Sequence, residues 1–335
     1  MKTKNEWNFN SFLIKKFSPQ NDTMVADSDG IKYHYTSPDA FLSILKYGKI
    51  RFTDIKYMND KAENVYFLKS LLDYMEKHSE HQIMQEVINL LIDKNSFDSI
   101  KDLSISEIKY NNIPYYPYAP KRTFLFCLSD ESDSLNMWNY YVKNGQYQGY
   151  NIGFKIHNFL NTFDTPDDKH IDALSVYYGN VIYDKNKQSS EIEHLINEIE
   201  SFVSSSETNT TYYLAALMLR TYIDSAGLFF KNVNFKSEEE YRIILEIDDK
   251  KIPHNKSESE KYFGENNKNL REDFCTKNGL VVPFIEVSIP KDSIFRITIS
   301  PITEYAIAKE SIHEVLKING YDSVKVYKSQ IPIRY

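Results

Sequence analysis

Three short stretches carry side chains able to do chemistry at positions where plain strands would be apolar. The first is His34-Tyr35-Thr36-Ser37, followed one helix later by Arg51-x-Thr53. The second is Phe126-Cys127-Leu128-Ser129, followed by Trp138 and Tyr141. The third is Glu238-x-Glu240-x-Arg242. Together they offer an imidazole, hydroxyls, an aromatic face, paired carboxylates and guanidinium groups. Such a set can hydrogen-bond, stack on a ring and pair with charge. Each stretch alone has an ordinary structural reading: a hydrogen-bonded strand histidine, a core aromatic pair, a solvated acidic strand mouth. The information lies in their joint occurrence.

The surrounding pattern supplies elements to hold them. Ile31–Thr36 alternates and is β-branched and aromatic, which predicts a strand. Ser37 is an N-cap with Pro38 at the first helical position, the apolar residues Phe41, Ile44 and Leu45 follow at helical spacing, and Gly48 ends the helix before a second strand over 49–53. Apolar stripes over 63–75 and 82–93 predict two helices of an insertion spanning about 60–120, with 94–120 irregular. Thr123–Ser129 is apolar enough for a central strand. A short helix follows at 134–142, then a strand at 150–156, a hairpin through Gly179-Asn180, and helices at 190–204 and 210–230. Strands follow over 241–247, 281–289, 294–299 and 323–327, with a helix at 304–318. Residues 1–30 read as a polar arm, and the polar run 248–278 as a loop insertion. The whole predicts an α+β protein, with residues 31–335 forming a single domain.

Composition narrows the chemistry. The 335 residues carry 40 Lys+Arg against 47 Asp+Glu, a formal charge of −7, which disfavours non-specific duplex binding while allowing a local basic pocket. Only 10 glycines are present, and no Walker loop, dinucleotide Gly-x-Gly-x-x-Gly, nucleophile elbow or His-Glu-x-x-His occurs. Cys127 and Cys275 are too few for a disulfide framework or an unaided structural zinc. His78 and His81 share a helix end without a third ligand nearby, so no metal is expected. Without an apolar leader or a run of membrane-spanning length, the expectation is a cytoplasmic protein that does not engage a membrane.

The same stretches carry a family resemblance. Tyr33-His34-Tyr35-Thr36-Ser37, Gly48-Lys49-Ile50-Arg51-Phe52-Thr53, Met58-Asn59-Asp60 with Glu63, Phe126-Cys127-Leu128-Ser129, Ser134-Leu135 with Trp138 and Tyr141, Gly149 with Ile152-Gly153-Phe154, and Lys236 with Glu240-x-Arg242 resemble the DUF2971 family. The terminal Val326–Arg334 matches its closing pattern. That family name carries no established chemistry. A second resemblance, to ADP-ribosyltransferases of the His-Tyr-Glu type, rests on the strand His-Tyr-Thr-Ser, the aromatic strand–helix and the late Glu-x-Glu.

This second resemblance implies an ADP-ribosyltransferase-like mixed or antiparallel β core with helical insertions. It also implies NAD as substrate and a nucleic acid or protein as acceptor, in a toxin or phage-defence setting that allows for a regulatory partner. On it, His34 holds a ribose hydroxyl with Tyr35, Thr36, Thr53 and Ser129 around it, and Tyr141 or Trp138 stacks on nicotinamide. Glu240 or Glu238 assists cleavage, and Arg51, Arg242 or Arg334 meets the pyrophosphate. Two other readings stay open. One is a nucleotide- or nucleic-acid-binding module without catalysis. The other is a metal-dependent nuclease using Asp60, Glu63 and Glu240.

Overall fold

The computed structural model describes residues 30–58, 63–105, 108–113, 120–142, 148–163, 174–206, 208–264, 267, 269–277 and 279–333. In chain order the elements are β1 (Ile31–Thr36), α1 (Pro38–Tyr47), β2 (Lys49–Asp54), α2 (Glu63–Met75), α3 (Gln82–Leu91), α4 (Phe97–Lys101), β3 (Lys121–Ser129), α5 (Leu135–Tyr141), β4 (Tyr150–Lys155), α6 (Ile156–Leu160), β5 (Leu174–Asn180), α7 (Lys185–Ser204) and α8 (Asn209–Asp224). Then come β6 (Glu240–Asp248), α9 (Lys256–Phe263), β7 (Arg271–Lys277), β8 (Leu280–Ser288), β9 (Ile294–Ile299), α10 (Tyr305–Asn319) and β10 (Lys325–Lys328).

The chain divides into two compact units, where the sequence pattern predicts one domain with a single helical insertion. The helical unit combines Ile55–Pro120 with Gly179–Lys236, so the second pair of predicted helices joins the first pair. The reason is burial. Thr211, Ala215, Ala216, Leu219, Tyr222 and Ile223 form the buried side of α8, and Ile192, Leu195, Ile196, Ile199 and Val203 that of α7. Within this unit the Phe67 ring lies 4.9 Å from Phe230 and 5.2 Å from Tyr222.

The sheet unit holds the remaining strands. Its order is β10-β9-β4-β1-β3-β2-β8-β7, with β6 on β3 and β5 on β6. It is mostly antiparallel, and β9 with β10 is a parallel pair. β3 pairs with β6 over nine positions, from Lys121↔Asp248 to Ser129↔Glu240. Its other edge is divided: β2 meets it at Thr53↔Leu125 and Asp54↔Phe124, and β1 at Tyr33↔Ser129. The strand–helix–strand unit forms as its punctuation dictates, with Ser37 accepting from the Ala40 amide and Gly48 closing α1 at φ 62°.

Side chains of directly paired residues leave on the same face, and neighbours along a strand alternate. One face is the main hydrophobic core, built from Phe52, Phe126, Leu128, Ile152, Phe154, Tyr241, Ile243, Leu245 and Ile297, and covered by Phe41, Ile44 and Leu45 of α1 and Ile312 and Leu316 of α10. The opposite face carries Tyr33, Tyr35, Cys127, Ser129, Glu240 and Arg242, and α5 packs on it through Trp138, whose ring meets Tyr35 edge-on at 4.8 Å.

Two further predictions are corrected. The hairpin through Gly179-Asn180 is instead one strand running to Asn180, and Ile182 bridges in parallel to Phe230. The polar run 248–278 is not a plain loop, because it contains α9 and the edge strand β7, which pairs with β8 from Arg271↔Glu286 to Lys277↔Leu280. Of the predicted arm over 1–30, only Gly30 lies among the described residues, and the Pro114–Ala119 stretch lies outside them.

Candidate functional site

The sheet sorts the candidate residues by parity. Tyr35, Ser129, Glu240 and Arg242 share the face beneath α5, and Arg51 and Thr53 leave β2 on the same side, as the Thr53↔Leu125 pairing requires. His34 and Thr36 point the other way. The His34 ring lies 4.9 Å from Phe126, a core-face residue, and its Nδ1 donates to the Cys127 carbonyl oxygen at 3.3 Å. The imidazole keeps some accessible surface, yet desolvation lowers its pKa to about 4, so it is neutral at neutral pH. The expected meeting of His34 with Glu240 therefore does not occur in this register: the thickness of the sheet separates them. Lys32, two residues before His34, likewise points to the core face, where it pairs with Asp130 at 2.5 Å and lies over Tyr241.

What the structure does bring together is a cluster at the mouth of β6. Arg242 is fully buried and clamps Glu240 in a two-pronged pair, Nε to Oε1 at 3.0 Å and Nη2 to Oε2 at 2.9 Å. Ahead of that pair, Glu239 takes φ 40°, a left-handed conformation unusual for a side chain of this size. Its position is fixed by β3: Ser129 Oγ donates to the Glu238 carbonyl at 2.7 Å, and the Asp130 amide donates to the Glu239 carbonyl at 2.8 Å. The turn thus presents the Glu238 and Glu240 carboxylates around a strained residue.

From α5, the Tyr141 hydroxyl donates to Glu238 Oε1 at 2.9 Å. Its pKa is pushed up, first by desolvation and then by the charges of Glu238 and Glu240, so the phenol stays protonated. The Tyr141 residue is 39% exposed and Trp138 is 0% exposed, which decides between the two aromatics: only Tyr141 can meet a ligand. Trp138 is used internally, its Nε1 donating to Asp133 at 2.7 Å. Tyr35 is also internal, receiving the Ser134 amide at 2.9 Å and donating to the Glu131 carbonyl at 2.7 Å.

Arg242 and Ser129 likewise hold other residues in place and present nothing outward. Arg51 is exposed and lies over the Phe284 ring at 4.5 Å. Arg334 lies outside the described residues, as does Asp60, and so does the side chain of Glu63. Among the described residues no group of three or more His, Cys, Asp or Glu is placed to hold a metal ion. His78 and His81 bond instead to Glu80 and Glu200, at 3.2 and 3.0 Å. No helix of the described residues is long and apolar enough to cross a membrane.

Arg296 on β9 is a polar residue on the α5 side of the sheet that motif reasoning missed. The signal was present in Phe295-Arg296-Ile297-Thr298-Ile299, whose alternation puts Arg296 and Thr298 on the face opposite the core.

No curated protein and no solved structure matches this chain. A family model described as "Protein of unknown function (DUF2971)" matches residues 137–243, the stretch that contains Tyr141, Glu238, Glu240 and Arg242 and leaves out β1 with His34. Over that stretch, the chain is similar to the DUF2971 family.

Proposed function

We propose that the face formed by α5 and the mouth of β6 is a ribosyl-transfer site for NAD. In this reaction the nicotinamide–ribose bond breaks, its electron pair leaves with nicotinamide, and an acceptor nucleophile that gives up a proton takes its place on the anomeric carbon. The supporting observation is the hydrogen bond of the accessible Tyr141 to Glu238 beside the Glu240–Arg242 pair. A carboxylate near the 2′-hydroxyl stabilises the positive charge that builds in the transition state more than it stabilises the ground state. An aromatic ring holds the neutral leaving group by stacking. Both oxygens of Glu240 accept from Arg242. Glu238 is therefore assigned the catalytic role, with Glu240 and Arg242 as positioning residues. The reading gives His34 no contact with NAD, and the acceptor is a nucleic acid or protein, as in a toxin or phage-defence effector.

Binding without turnover is the second reading. It is favoured by the closed Glu240–Arg242 pair and by the placement of His34 across the sheet. One experiment separates the two: nicotinamide release and NAD binding are measured on the wild type and on Glu238→Gln. Release that falls about a hundredfold or more in the variant, with NAD still bound, supports transfer. Binding with no release from the wild type selects the second reading, and the absence of both removes both.

A further inference from the structure

At the far side of the same sheet face, three strands from β3, Arg296 lies between two tyrosine rings. Its guanidinium carbon is 4.1 Å from the centre of Tyr327 on β10 and 5.8 Å from that of Tyr33 on β1. The floor beneath is Gly153 on β4, paired with both Tyr33 and Arg296. A Cβ there would stand 2.7 Å from Arg296 Cγ and 3.1 Å from Tyr33 Cε1, so glycine is what lets the two side chains lie across the strand. The guanidinium is under-used. Its buried Nε has no hydrogen-bond partner, Nη2 makes a 3.3 Å bond to Thr298 Oγ1, and no carboxylate among the described residues pairs with it. Lys325 is in register with Arg296 on the neighbouring parallel strand, so it leaves from the same face, and it is exposed.

A half-buried guanidinium usually finds an anion, because burial without one forfeits hydration. Here two cations stand side by side with no acid paired to them among the described residues, in a chain whose formal charge is −7. Tyr327 is 37% exposed, which leaves ring surface available at the rim. We propose that Arg296 and Lys325 form a phosphate-binding site for a small nucleotide, with Arg296 donating to the phosphate oxygens and Tyr327 giving its free ring surface to the base. Two cations suit one phosphate or pyrophosphate group. A nucleic-acid strand would call for a longer cationic track.

Titration calorimetry with ADP, inorganic pyrophosphate, adenosine and a short single-stranded oligonucleotide tests the site. ADP and pyrophosphate bind the wild type, and adenosine binds far more weakly. Arg296→Gln weakens ADP about tenfold or more, the loss expected for one charge-assisted interaction. Lys325→Gln weakens it several-fold. A melting curve on each variant accompanies the titration. Where Arg296→Gln does not fold, the exposed Lys325→Gln decides. ADP affinity unchanged in the folded variants, adenosine binding as well as ADP, or Arg296-dependent binding of the oligonucleotide without ADP overturns the proposal. Its fate is separable from that of ribosyl transfer: Arg296-dependent ADP binding supports it even if no nicotinamide is released. Nicotinamide release without such binding overturns this site alone.

Discussion

At the scale of the residue, the burial of His34 gives stability a pH dependence of definite sign. Its pKa of about 4 in the folded protein lies below the ordinary 6.5, because burial against Phe126 penalises the imidazolium. Between those two values the unfolded chain binds more protons than the folded one, so stability rises with pH across that window. The contribution is complete above about pH 6.5 and is lost as the pH falls towards 4. Its ceiling is about 3 kcal/mol, reduced by the ring's partial exposure to solvent. Urea unfolding midpoints measured across this range should fall on acidification in the wild type, and less steeply in His34→Gln, which keeps an amide donor and does not titrate. Equal slopes in the two proteins would remove the buried imidazole from the account. This role was not legible beforehand, because a strand residue's face depends on register with strands nearly a hundred positions away. One residue of slip inverts every side chain. Tyr35 and Glu240 can be named from the sequence, but only the pairing Tyr33↔Ser129↔Glu240 shows that they share a side and that His34 does not.

At the scale of the element, legibility follows punctuation and burial. α1 was readable to its ends because Ser37, Pro38 and Gly48 each do one local job. β7 was not, because an edge strand with one open side carries the sequence Arg-Glu-Asp-Phe-Cys-Thr-Lys, whose residues are all exposed or half-buried. No hydrophobic run announces it, and only its pairing with β8 makes it a strand. The entry to β4 gives this scale its prediction. Gly149 is buried, and a Cβ there would stand 2.4 Å from both the Thr36 carbonyl oxygen and Val142 Cγ1. One of those atoms is backbone of β1, which cannot step aside without shifting the Thr36↔Tyr150 pairing and the 4.1 Å stacking of Tyr150 on Phe41. Gly149→Ala should therefore destabilise the protein by about 2–3 kcal/mol, read as a lowered unfolding midpoint. An unchanged midpoint would mean that the β1–β4 register is softer than its six paired positions indicate.

At the scale of the whole molecule, charge decides more than fold. The excess of 47 acidic over 40 basic residues was visible in the composition, and the structure adds where local exceptions lie. Several cations on the sheet unit are committed to carboxylates: Arg242 to Glu240, Arg122 to Asp54 and Glu272, Lys49 and Arg271 to Glu286, and Lys121 to Glu246. Arg296 and Lys325 have no such partner among the described residues, and their register on β9 and β10 sets them side by side. Duplex affinity without sequence preference grows with the number of phosphates neutralised along a track, and falls steeply with salt for the same reason. One compact pair of cations on a body of net negative charge is not such a track. A random-sequence duplex at physiological salt should therefore show no gel retardation at roughly micromolar protein, while ADP binding at Arg296 persists with only a shallow salt dependence. Retardation with a steep salt slope would reveal an extended basic face. Arg296 would then be one member of a nucleic-acid surface instead of the centre of a nucleotide site.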